Sequence, residues 1–120
     1  MLIVDDEPAL IRVVRLMLES TGRDEVAEEL QALNVLETAA RVRPDLVLLD
    51  LVMPKADGGV VASQIRSDPR LADTPILFLS AMLLKRESGP TEIDGCTALS
   101  KPIGLRELTE AIDARLHLVA

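Results

Sequence analysis

A chain of 120 residues, 48% of them hydrophobic, has the length and apolar content for one domain with its own core and is not a disordered tail. Its 20 acidic against 13 basic residues, a formal net charge of -7, exclude a surface built to neutralise nucleic-acid phosphates, and its single cysteine, Cys96, excludes an internal disulfide. No apolar run reaches membrane-spanning length and no basic-then-apolar leader opens the chain, so a soluble cytoplasmic domain over residues 1–120, without membrane or direct nucleic-acid contact, is expected.

In chain order, Leu2–Val4 is an apolar run that predicts a strand, and it ends in Asp5-Asp6. Pro8 suits a first helical turn, and Leu10, Val13, Val14, Met17 and Leu18 then fall on one helical face, with Gly22 as the stop. In Asp24–Val42 the apolar positions Val26, Leu30, Leu33, Leu36 and Ala40 are close to helical spacing. Regular alternation calls for a short strand near Glu25–Glu28, but the Ala, Glu and Leu content argues for helix. Leu46–Leu49 is a second buried strand, closed by Asp50 and followed by the Pro/Gly-containing "LVMPKADGG".

Ile76–Leu79 is a third strand, closed by Ser80, and Phe78 within it is the only aromatic of the chain. In Leu83–Gly95 the pair Gly89-Pro90 breaks what the alternation makes a helix, since proline lacks an amide hydrogen and clashes with the preceding turn. Ala98–Leu99 is a weaker strand leading into Lys101-Pro102, and Leu105, Leu108, Ile112 and Leu116 form a last helical stripe. Strands that are apolar throughout are buried on both faces, and their alternation with helices implies βαβ units. The expected fold is α/β: a doubly wound, parallel, five-stranded sheet flanked by helices, its second strand and fourth helix the least regular parts.

The polar residues that close these strands carry the chemistry. Parallel neighbouring strands bring Asp5, Asp6, Asp50, Ser80 and Lys101 to the carboxyl edge of the sheet, where such folds bind ligands. Three converging carboxylates repel unless a cation joins them, and oxygen ligands suit a hard ion such as Mg²⁺. A lysine and a hydroxyl add a positive charge and a donor for an anionic oxygen. Singly, each has a plain structural account: acids before Pro8 suit a helix N-terminus, Asp50 a turn, Ser80 a satisfied hydroxyl, Lys101 a solvated turn. Together, in this order, they describe a phosphoryl-transfer site with a carboxylate nucleophile.

With those residues in place the chain resembles the receiver domains of two-component response regulators, from about Leu2 to Leu116. "VDDEP", "PDLVLLDLVMPKADG", "TPILFLSA" and "SKP" stand in the family's order, with 44 positions from Asp6 to Asp50 and 30 from Asp50 to Ser80. The resemblance implies a flavodoxin-like receiver fold with Asp50 as phosphoacceptor from a histidine kinase or phosphotransfer protein. It implies Mg²⁺ on Asp6, Asp50 and the backbone carbonyl of Val52, with Asp5 reaching the metal through water. Ser80 matches the hydroxyl that turns to the phosphoryl oxygen, and Lys101 the lysine that pairs with it, before a Pro102 whose bond is commonly cis. Pro54 and Gly58 match the loop beyond the acceptor. The resemblance further implies that the domain promotes its own phosphorylation and dephosphorylation, and that its phosphorylated state switches binding of a downstream protein or output domain.

Departures from the family lie in the readout. Ala98 replaces an aromatic that rotates when the hydroxyl moves. Ser80 to Lys101 spans 21 positions, one fewer than is common, and includes Gly89-Pro90, so a loop is expected to replace part of the fourth helix. Gln31-Ala32 stand where an Asp-Gly turn is common. Apolar Val52 and Met82 flank the site and cannot orient a water, so a phosphoaspartate outlasting seconds is expected. A chain of this length reads as a stand-alone receiver or one excised from a larger regulator or hybrid kinase. Two other classes compete. A haloacid-dehalogenase type hydrolase wants an acid where Val52 stands and a longer chain. A degenerate receiver acting as a phosphate-independent interaction module fits Ala98 and the broken helix, but not the intact acids, Ser80 and Lys101.

Overall fold

Runs of Leu, Ile and Val with no polar partner needs beyond the backbone form the centre of the molecule. In the computed structural model, residues 1–20, 22, 26–50, 52–53, 56–80, 91–93, 96–100 and 104–119 are described, with the backbone alone at 32, 52–53, 56–57, 91–93, 100, 105 and 116–119. The elements are β1 (Leu2–Val4), α1 (Pro8–Glu19), β2 (Ala27–Glu29), α2 (Val35–Val42, after a 3₁₀ turn at Ala32–Asn34) and β3 (Val47–Asp50). They continue with β4 (Val52–Met53), β5 (Ala56–Asp57), α3 (Gly58–Ser67), β6 (Ile76–Ser80), β7 (Thr91–Ile93), β8 (Cys96–Ser100) and α4 (Leu105–Val119).

The main sheet runs β2-β1-β3-β6-β8-β7. Its first five members are mutually parallel, and β7 is antiparallel to β8. Burial on both faces explains the unbroken apolar strands. Leu2, Val4, Val47, Leu49, Ile76, Phe78 and Ala98 pack with Val35 and Ala39 of α2 and with Val61, Ala62 and Ile65 of α3. Ile3, Leu48, Leu77, Leu79 and Leu99 pack on the other face with Ile11, Val14 and Leu18 of α1 and with Leu108 and Ile112 of α4. Each fully buried side chain of this size contributes roughly 1.5–3 kcal/mol of transfer free energy, so the central strands dominate stability.

α1 starts as its sequence indicates, with Pro8 in the first turn, and Gly22 adopts φ +87 just beyond its end while its amide donates to the Glu19 carbonyl at 3.0 Å. The face differs from the predicted stripe: Ile11, Val14 and Leu18 are buried, whereas Val13 is 48% exposed.

Two expectations are corrected. The helical propensity of Asp24–Val42 does not prevail: the second strand that the alternation calls for is present at Ala27–Glu29, the edge strand β2 paired with Leu2–Val4, and α2 begins only at Val35. The predicted stripe fails with it, since Leu30 and Leu33 are exposed while Val35 and Ala39 are buried. Propensity loses here because the outer edge of β1 needs backbone partners. The Ala27 amide donates to the Met1 carbonyl at 2.8 Å. Arg15 of α1 holds the strand from the side, donating to the Val26 carbonyl at 2.5 Å and pairing with Glu28. The second correction is β7, a sixth strand in a stretch expected to be loop. Ile93 pairs directly with Cys96. The two residues between them in sequence, Asp94-Gly95, are of the type that favours a two-residue hairpin loop and lie outside the described residues. Residues 83–90, including Gly89-Pro90, lie outside the described residues.

Candidate functional site

Strand order reverses between β1 and β3, so the connections leaving their carboxyl ends part in opposite directions and open a crevice. Val4 pairs with Leu49, which sets the ends of the two strands side by side. Asp5 and Asp6 follow β1 and Asp50 is the last residue of β3. One carboxylate oxygen from each of the three lies within 4.8 Å of the others. Asp5 and Asp50 are 1% and 5% exposed, while Asp6 faces outward. Buried carboxylates held this close are costly without compensating positive charge, and the donor set is all oxygen. The residues present therefore fit a hard divalent cation such as Mg²⁺.

Local structure aims these side chains. Asp5 Oδ1 accepts the Glu7 amide at 3.0 Å, a turn that also delivers the chain to Pro8 and α1. The Asp5 amide donates to the Glu29 carbonyl at 3.2 Å, tying the first acid to the edge strand. β3 puts four buried residues in a row, so Asp50 ends on the rigid centre of the sheet. Immediately after it, β4 and β5 form an antiparallel ribbon with Val52 opposite Asp57, and this doubles the chain back to start α3 at the buried Gly58.

Ser80 closes β6, is 1% exposed, and follows Leu79, the register partner of Asp50. Its own partner across β8 is Ser100, a second hydroxyl residue at this edge to which the sequence pattern assigns no role. The signal available for it was its place just before Lys101 at a strand end. The backbone of Val52 lies two residues beyond Asp50, at the start of β4. Lys101, Pro102, Pro54 and Met82 lie outside the described residues. Ala98 is 1% exposed in the core, in register with Phe78. The structure thus brings Asp5, Asp6 and Asp50 together and sets Ser80 at the same edge.

The family described as the response regulator receiver domain matches residues 1–113. This chain belongs to the response regulator receiver domain family. The receiver domain is 34% identical over 122 residues to the DNA-binding dual master transcriptional regulator RpaA of Synechocystis, covering 97% of this chain and 48% of that protein. It is 28% identical to the polar-differentiation response regulator DivK of Brucella anthropi, covering 96% of this chain and 94% of that one. The chain therefore spans about half the length of RpaA and nearly all of DivK.

Among solved structures, a sensor protein from Polaromonas superposes with TM-score 0.83 at 30% identity, covering 99% of this chain and 96% of that one. The receiver domain of the hybrid histidine kinase CckA superposes with TM-score 0.77 at 29% identity, covering 96% of each chain. The fold is that of a receiver, and the chain works as a phosphoryl-accepting receiver in two-component signal transduction, a role distinct from that of a classical enzyme. Among the described residues no helix is long and apolar enough to cross a membrane.

Proposed function

We propose that Asp50 is the phosphoacceptor of this receiver, that the domain extends over residues 1–120, and that the transfer requires Mg²⁺. The observation that supports it is the approach of the Asp5, Asp6 and Asp50 oxygens to within 4.8 Å beside the buried Ser80. Asp6, Asp50 and the Val52 carbonyl would hold the metal directly and Asp5 through water. Bound there, Mg²⁺ supplies charge neutralisation for the transferring phosphoryl group. An Asp50 carboxylate oxygen forms the new P–O bond as the P–N bond of a phosphohistidine breaks; the ring nitrogen keeps that electron pair, and a proton already on the other ring nitrogen lets the imidazole leave neutral. Little covalent work is asked of the protein, so rate comes from in-line positioning of Asp50 and from charge and donors at the phosphoryl oxygens. Ser80 and Lys101 are assigned to those oxygens. The domain thereby promotes its own phosphorylation and hydrolysis.

The partner on the donor side is a sensor histidine kinase or phosphotransfer protein, and on the output side a protein or attached domain that distinguishes the two states. With a net charge of -7 the domain is unsuited to direct binding of nucleic acid, and it works in the cytoplasm.

The test is incubation with acetyl phosphate and Mg²⁺ followed by intact-mass measurement. Wild type should gain one phosphoryl group, while Asp50→Asn and a sample without Mg²⁺ should gain none. No adduct on wild type would favour a receiver that acts as a phosphate-independent binding module.

A further inference from the structure

Glu29, at the end of the edge strand β2, connects the acidic pocket to a helix outside it. Its backbone carbonyl accepts the Asp5 amide at 3.2 Å. One oxygen of its side chain accepts the Thr38 hydroxyl of α2 at 2.6 Å, and the other accepts the Gln31 amide at 2.9 Å. Thr38 is 7% exposed, and a short bond from a buried hydroxyl to a carboxylate is among the stronger hydrogen bonds a protein makes.

β2 needs such a hold at this end. It has three residues, Ala-Glu-Glu, with low strand propensity, and Arg15 holds it at Val26 and Glu28, short of its last residue. Its last register pair is Glu29 with Val4, the residue before Asp5. If the end of β2 frays, the Asp5 amide loses its acceptor. The 1% exposed Asp5 then keeps the bond from the Glu7 amide to its side chain but loses its backbone tie to the edge strand.

We infer that Thr38 and Glu29 form a latch that positions Asp5 for metal binding, with Thr38 acting through Glu29 as a positioning residue. The inference rests on the reading of Asp5 as part of the metal pocket. Groups that orient metal ligands from outside the coordination sphere are worth roughly 10–100-fold in metal affinity. Acting through a backbone carbonyl, this latch belongs at the low end of that range.

The experiment compares wild type, Thr38→Val and Thr38→Ser. Mn²⁺ affinity is followed from the electron paramagnetic resonance signal of the free ion, and backbone amide exchange is followed by NMR. The Val variant keeps the shape and loses the donor. It should bind Mn²⁺ roughly tenfold more weakly and exchange the Asp5 amide faster, while the Ser variant stays within about twofold of wild type on both measures. Glu29→Gln, which keeps the carbonyl and one side-chain acceptor, should fall between them and serves if the Val variant does not fold. A purely structural role would lower the melting temperature without moving the Mn²⁺ dissociation constant of the folded protein.

Equal Mn²⁺ affinity and equal Asp5 protection in wild type and the Val variant would overturn the latch while leaving the metal pocket intact. Equal losses in the Val and Ser variants would overturn it too, since the hydroxyl would then not matter. A wild type that binds no Mn²⁺ would instead overturn the pocket reading, and with it any metal-positioning role for Thr38.

Discussion

The two sides of the sheet centre differ in how closely they keep to the receiver pattern. On the β1–β3–β6 side, parallel strands buried on both faces end in Asp5-Asp6, Asp50 and Ser80, and a slip of one residue would move every side chain to the wrong face. On the β8 side the sheet gains an antiparallel strand at its margin, and a buried Ala98 stands where the family carries an aromatic. Chemistry constrains the first side because three carboxylates must meet within a few ångströms. The second side only has to report a change, and its edge can be rebuilt without disturbing the pocket. The chain's one aromatic, Phe78, lies beside Ala98 in the same core, so ring volume sits on β6 and a small side chain on β8. Alanine has no side-chain rotamer to exchange, so Ala98 itself has no second state to rotate into.

The strongest way to break this comparison is to restore the missing ring. Ala98→Tyr should overfill a fully buried position next to Phe78 and lower stability by about 1–3 kcal/mol in urea denaturation. Phosphorylation from acetyl phosphate should continue in the folded fraction. Unchanged stability would mean the β8 side keeps room for the ring, and the contrast between the two sides would fail.

A smaller effect is expected at the hairpin. Replacing Asp94 and Gly95 together by alanine removes the sequence that favours a two-residue loop between Ile93 and Cys96. Amide protection in Thr91–Ile93 should fall sharply, while global stability drops by only about 1 kcal/mol. A loss as large as that of a core substitution would show that β7 belongs to the cooperative centre of the fold.

The smallest effect lies away from both sides, in the turn after α3. The Arg70 side chain hydrogen-bonds Asp68 at 2.7 Å, and its amide bonds the same carboxylate, pulling that group from 3.8 down to about 2. A depressed folded-state pKa adds stability that is present above the unfolded value and lost as pH falls toward the folded one. Between about pH 4 and pH 2, then, wild type should lose slightly more stability than Asp68→Asn in parallel thermal melts. Arg70 is 62% exposed, so added salt should shrink the difference.

Much of the site was legible without coordinates because a charge closing an apolar strand is conspicuous. Asp5, Asp6, Asp50 and Ser80 each follow such a run, and the parallel order that brings them together follows from strands alternating with helices. The edge elements were less legible. Ala27–Glu29 carries helix-favouring residues and becomes strand through bonds to Met1, Asp5 and Arg15, all at least 11 positions away in sequence. β7 had a readable signal in Asp94-Gly95, hidden by the expectation of a helix broken at Gly89-Pro90. Ser100 carried only its position before Lys101.

By itself the sequence determined the two-sided core, the central parallel strands and the identity of the groups at their carboxyl ends. Those features rest on side-chain types that must be buried or must carry charge wherever the chain goes. Only the tertiary structure decided where the sheet ends on either side, which face of α1 is buried, and how Asp5 is held through Glu29 and Thr38. Edge strands and buried hydrogen bonds take their partners from residues distant in the chain, and no local pattern of residues encodes them.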